Sequence, residues 1–150
     1  MSVSLYGSGQ TVIQAVSVTS ALNASTSSTS YVTTGLSASI TPQSTNSKIL
    51  IMVSASIGQA NYQGGCDYTV FRGTVSGTNL AVGTNAAMAQ FYTAINYPAN
   101  ANLGINYLDS PATTSSTTYT VGFLTTSGAD TAYFGYNGSC TITLLEISGS

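Results

Sequence analysis

The side chains suited to acid, base or metal chemistry are few: the carboxylates Asp67, Asp109, Asp130 and Glu146, the thiols Cys66 and Cys140, and the cations Lys48 and Arg72, with no histidine in 150 residues. The missing imidazole removes the commonest general base and excludes Ser-His-Asp and Cys-His arrangements. Two cysteines without histidine fall short of a four-ligand zinc site, and no acidic loop has EF-hand spacing. Carboxylate chemistry is what remains. Two acids facing each other across a sugar would make a glycosidase pair, and carbonyls beside Asp67 or Asp130 a weak cation site. A plainer role competes with both, because Asp67 and Asp130 open apolar runs and Asp109 closes one. Acids at strand ends are mostly solvated or cap turns. The expectation is no catalytic residue, no cofactor and no metal.

The stretch LDSPATTSSTTYTVGF, residues 108–123, sets Asp109 two residues before a proline. Pro111 has no N–H and confines Ser110 to extended or turn geometry, so a strand ends there, with the Asp109 side chain expected to accept a bond from backbone just ahead. Glu146 shares a face of CTITLLEI with Cys140, Ile142 and Leu144. A buried carboxylate there needs a partner, and Arg72 and Lys48 are the cations available. The simpler expectation is that the last strand leaves the core and exposes Glu146. Cys66 and Cys140 are expected to remain unpaired as small buried hydrophobes. Asn23-Ala-Ser and Asn137-Gly-Ser match the glycosylation pattern, but Asn137-Gly138 reads better as a tight hairpin turn.

Charged residues make up 4% of the chain, against about 25% in an ordinary soluble protein. Ser and Thr supply 46 of the 150 residues, so hydroxyls and amides must hydrate the surface. A net charge of −2 leaves little long-range repulsion between copies, which favours an assembly component over a freely diffusing enzyme. Two basic residues cannot neutralise a phosphate backbone, so nucleic acid is excluded as a partner. No membrane partner is expected either: the longest apolar run, ILIMV at 49–53, is strand-sized, and spanning takes about 20 residues. MSVSLYGSGQ lacks the basic end and apolar core of an export signal, which implies that the gene product stays in the cytoplasm where it is made unless an assembly carries it out.

The elements that must carry these residues are strands. Helix formers are almost missing, and short β-branched or aromatic runs recur at 11–20, 28–41 (broken near Gly35), 47–58, 66–73, 79–83, 86–94, 102–109, 116–127, 130–136 and 139–148. Gly, Asn, Ser or Pro bounds each run. This spacing predicts one all-β domain over residues 11–150, an antiparallel β-sandwich or jelly roll, preceded by an N-terminal arm, residues 1–10. In the strand from Ser116, Tyr119, Val121 and Phe123 face one way and Thr120, Gly122 and Leu124 the other. Candidate partner contacts are the arm's Val3, Leu5 and Tyr6, and Phe91, Tyr92, Tyr97 and Pro98 of QFYTAINYPAN, where aromatics depart from regular alternation. Core filling is the competing role for these aromatics.

The combination ITPQSTNSKILIMVSASIG, YTVFRGT, INYLDSPATTSSTTYTVGFLTTSG and CTITLLEI resembles a recurrent domain in structural proteins of tailed phages, especially those of cyanobacteria and aquatic bacteria. It covers residues 28–147, and LDSPATTSSTTYTV is its most specific piece. The resemblance implies a jelly-roll virion protein, homotrimeric, without catalytic residues, serving as a capsid decoration (cement) protein or as the terminal module of a tail fibre. Because the β pattern begins almost at Met1, with no shaft before it, the first expectation is decoration: a trimer on the capsid exterior that bridges subunits of the major capsid protein. The alternative is a tail-fibre tip or appendage that binds a host receptor or surface glycan.

Overall fold

The computed structural model describes residues 9–60, 64–93 and 98–149. Among them are the strands β1 (Val12–Ser20), β2 (Ala24–Thr26), β3 (Val32–Ile40), β4 (Lys48–Gln59), β5 (Gly64–Arg72), β6 (Thr78–Asn79), β7 (Ala89–Thr93), β8 (Ala99–Asp109), β9 (Thr117–Thr125), β10 (Ala132–Phe134) and β11 (Cys140–Ile147). The described residues contain no helix.

All pairings are antiparallel, and three pairs of short strands are single strands interrupted. Phe134 lies opposite Ile57 and Cys140 opposite Ala55, so β10 and β11 follow one another along the same edge of β4. Beside them β1 and β2 do the same, and β6 and β7 share one edge of β5. Joined in this way, the first sheet reads β1/β2, β10/β11, β4, β8 and the second β3, β9, β5, β6/β7. That is the order of two interlocked Greek keys, a jelly roll.

Period-two alternation puts the core between the sheets. Tyr68, Phe123 and Phe134 are fully buried with ring centroids 6.4 Å apart in each pair. Around them sit Leu36, Ile40, Ile49, Ile51, Ile142 and Leu144, each worth about 1.5–3 kcal/mol on burial. The Tyr68 hydroxyl meets its own need by donating to the Tyr133 carbonyl at 3.0 Å. Tyr119, Val121 and Phe123 face the core as expected, but the opposite face of β9 is not solvated. Tyr31 packs edge-on to Phe71 there, centroids 5.4 Å apart, and its hydroxyl donates to the Ala86 carbonyl. A Cβ at Gly122 would lie 2.7 Å from the Phe71 ring, so this second layer closes only over a glycine.

Several boundaries differ from the sequence reading. The run at 79–83 stays on β5 only through Asn79 and the Leu80 N–H, which bonds the Val70 carbonyl at 3.0 Å, before the Asn79 side chain takes the Ala81 N–H. The run at 130–136 shrinks to Ala132–Phe134 before Gly135 at φ +72°. Asn137-Gly138 is not a hairpin turn. Asn137 has the expected positive φ of 52°, but residues 135–139 bulge out of one strand, held by the Gly135 N–H on the Ser56 carbonyl and the Ser56 hydroxyl on the Tyr136 carbonyl. Both cysteines are free and buried.

Candidate functional site

The four carboxylates are all buried, with Asp67 at 5%, Asp109 at 3%, Asp130 at 2% and Glu146 at 0% exposure. This overturns the expectation of solvated acids, although Asp130 does cap adjacent backbone, accepting the Thr131 N–H at 2.7 Å. Asp109 ends β8 in the first sheet, while Arg72 and Tyr119 are cross-strand partners on β5 and β9 in the second. Arg72 reaches across with Nε donating to Asp109 Oδ2 at 2.8 Å and Nη2 to Oδ1, and the Tyr119 hydroxyl donates to Oδ2 at 2.6 Å. The bidentate fork is the strongest geometry for such a pair. Its hydrogen bonds to Asp109 raise the Arg72 pKa, and burial raises that of Tyr119. The corner at Ser110-Pro111 does stop the strand, but Asp109 serves as a tie between sheets.

Glu146 is held without a cation, contrary to both readings of it. Its Oε1 accepts the Gln43 N–H at 2.7 Å, and the Gln14 amide nitrogen donates to Oε2 at 3.1 Å and to the Thr41 carbonyl at 3.2 Å. The opposite end of the sandwich is closed by Gln59, whose amide donates to Asp130 and to the Gly64 carbonyl at 2.9 Å while its oxygen accepts from Thr93 at 3.1 Å. Asp67 accepts from Gln90 at 3.0 Å, and burial raises its pKa. Burial likewise pushes the Cys66 thiol up to about 12. Among the described residues no three His, Cys, Asp or Glu side chains gather to hold a metal. The acids are thus engaged in internal bonds rather than aimed into a cleft.

Of the candidate contacts, Val3, Leu5, Tyr6 and Tyr97 lie outside the described residues. Phe91 packs against the core and is half-buried, whereas Tyr92 is 68% exposed and Pro98 is exposed. Pro98 lines a hollow of about 180 Å³ with Gln59, Ala60, Asn100 and the Tyr133–Tyr136 pair, whose ring centroids are 4.9 Å apart.

The sequence reading missed an apolar surface on the outer face of the first sheet. Ala15, Leu145, Leu50 and Leu108 are successive cross-strand partners and form one row across all four strands. Beyond it Val12, opposite Ile147, and the bulged Ile13 are exposed. Toward the other end the rows turn polar: Ser17 and Thr143 share a hydrogen bond of 3.0 Å, and Thr19 and Thr141 one of 2.9 Å. The available signal was the unbroken runs ILIMV and LLEI, since a strand with only one buried face alternates. Residues 9–11 leave from this apolar end, tied to β11 by the Thr11 N–H on Ser148 Oγ at 3.0 Å and the Ser148 N–H on the Thr11 carbonyl at 2.9 Å.

No protein-family model and no curated protein matches the chain. Among solved structures it is similar to one described as infectious bursal disease virus Gx strain, at 13% identity over 91% of this chain and 40% of that one, with a TM-score of 0.43. It is also similar to the infectious bursal disease virus VP2 subviral particle, at 12% identity over 91% and 39%, TM-score 0.45. A third is the T13 particle of the same virus, at 12% identity over 89% and 37%, TM-score 0.42. The chain spans about two fifths of the length of those chains.

Proposed function

We propose that this protein is a virion structural protein, a homotrimeric decoration protein that sits on the exterior of a phage head and bridges subunits of the major capsid protein. The observation that carries the reading is the apolar row Ala15–Leu145–Leu50–Leu108 with Val12 and Ile13 beside it. It lies on a surface with all four carboxylates withdrawn and at the end where Thr11 is bonded to Ser148. Apolar area flanked by hydroxyls docks without charge desolvation, and burying it on several shell subunits at once would oppose their separation. The jelly roll and the resemblance to tailed-phage proteins support the same reading. In purified virions the expected copy number is comparable to that of the major shell protein, and Leu50→Lys with Leu108→Lys should strip the chain from heads while leaving it folded. A trace copy number sinks the reading.

A second reading, a tail-fibre tip, draws on the exposed Tyr92 and the hollow between Pro98 and the Tyr133–Tyr136 pair, a setting suited to stacking on a sugar ring. It predicts binding of host surface glycan that Tyr92→Ala and Tyr136→Ala abolish. Glycan binding unchanged by both would remove it.

A further inference from the structure

The edges of the two sheets are not alike. On the first sheet the β1/β2 edge is interrupted between Ser20 and Ala24 and bulged between Val12 and Gln14. On the second, β3 is irregular between Thr33 and Ser37 with Gly35 at φ +88°, and the β6/β7 edge is interrupted by residues 80–88. β8 differs from all of these. It runs 11 residues in unbroken register with β4, its one ladder partner among the described residues. Protected edges carry lysines, prolines, bulges or a covering element. From Ala99 to Leu108 this strand has no charge and no proline, and Asp109 at its end is occupied by Arg72.

The residues of β8 are also self-complementary. Its centre, Asn102-Leu103-Gly104-Ile105-Asn106, reads the same in both directions by chemical type, with Gly104 midway along Ala99–Asp109. Asn100, Asn102, Gly104 and Asn106 face outward and Leu103 and Ile105 inward. A Cβ at Gly104 would meet nothing within 4 Å, and its φ is not positive, so neither packing within the chain nor backbone conformation requires glycine there. Glycine weakens a strand interior and often marks close approach of another backbone.

We propose that β8 is a strand-addition edge for a second copy of this chain, paired antiparallel about a twofold axis at Gly104. In that register Asn102 faces the other copy's Asn106, Leu103 faces its Ile105, and Gly104 faces its equivalent. Directly opposed residues lie on the same face, so the amides meet outside and the aliphatic groups inside. The first sheets of two copies become one continuous sheet. Beside β8 a hollow of about 400 Å³, lined in part by Leu80, Met88, Ile105 and Tyr107, receives the other copy's Leu103 and Ala101. The contact is isologous, with no like charges opposed. It does not depend on where in a virion the chain sits; in a shell of trimers it would join one trimer to the next.

The test uses the purified full chain, so it separates from the virion experiment. Its mass by sedimentation velocity should fall in the double variant Asn102→Lys/Asn106→Lys and stay unchanged in Thr19→Lys on the far strand. Because the double variant could fold poorly, Gly104→Cys supplies a second readout. Opposed Cα atoms in an antiparallel pair lie about 4.5–5.5 Å apart, within disulfide range. Under a mild oxidant that accepts the two electrons, Gly104→Cys should run as a covalent dimer and Thr19→Cys as a single chain, the native thiols being buried. A wild-type mass equal to that of a folded double variant, or a Gly104→Cys chain that cross-links no better than Thr19→Cys, overturns the proposal.

Discussion

The two ends of the sandwich solve one problem with different chemistry. Where β5 and β8 finish, the sheets are tied by Arg72 and Tyr119 on Asp109; where β4 finishes and β5 begins, they are tied by Gln59, Asp130, Gly64 and Thr93. At each end the apolar core gives out and a buried carboxylate must keep its hydrogen bonds. The first end uses a cation that stays 32% exposed, so its charge keeps part of its hydration; the second uses neutral donors, including the Thr131 N–H at 2.7 Å. An acid can thus be buried in a chain with almost no cations, provided that amides and backbone N–H groups converge on it. Burial of Asp109 and of Asp130 thus accompanies the closure of the two sheets on each other.

Removing a donor from each end breaks the comparison most directly. Arg72→Ala leaves Asp109 buried with its charge uncompensated and should cost about 3–5 kcal/mol in urea unfolding. Gln59→Ala takes a neutral amide from the far end and should cost less, about 1–3 kcal/mol. Equal losses would contradict the distinction between a charged tie and a neutral one.

Asp67 sharpens it from the other side. Burial raises its folded-state pKa, so the folded chain favours the protonated acid, and the stability this contributes is present below the unfolded value of about 3.9 and lost as pH rises through the folded one. Asp67→Asn should therefore raise the melting temperature at pH 7 and leave it unchanged in acid. A loss of stability at pH 7 would instead mean that the Gln90 bond outweighs burial. The smallest effect belongs to Cys66, near the amide-tied end, with its thiol raised to about 12. Native protein should resist a thiol reagent at pH 8 and react after unfolding; rapid native labelling would mean that this end opens.

Strand positions, antiparallel pairing and the inward row Tyr119, Val121, Phe123 were legible because period-two alternation is local. The reach of Gln59 to Asp130 and of Arg72 to Asp109 was not, since each joins residues 71 or 37 apart in the chain. Glu146 illustrates the limit: its apolar face pointed inward, but its donors, Gln43 and Gln14, carry no charge pattern that marks them. The apolar row was half legible, in ILIMV and LLEI, but needed the register of four strands before it became a surface.

By itself, then, the sequence determined the all-β class, the absence of imidazole chemistry and a nearly uncharged exterior, because composition and alternation act residue by residue. Only the tertiary structure decided which strands merge, which acids are buried and with whom, and which strand has a single ladder partner among the described residues. Those outcomes depend on contacts between residues far apart in the chain, set by how two twisted sheets pack and close.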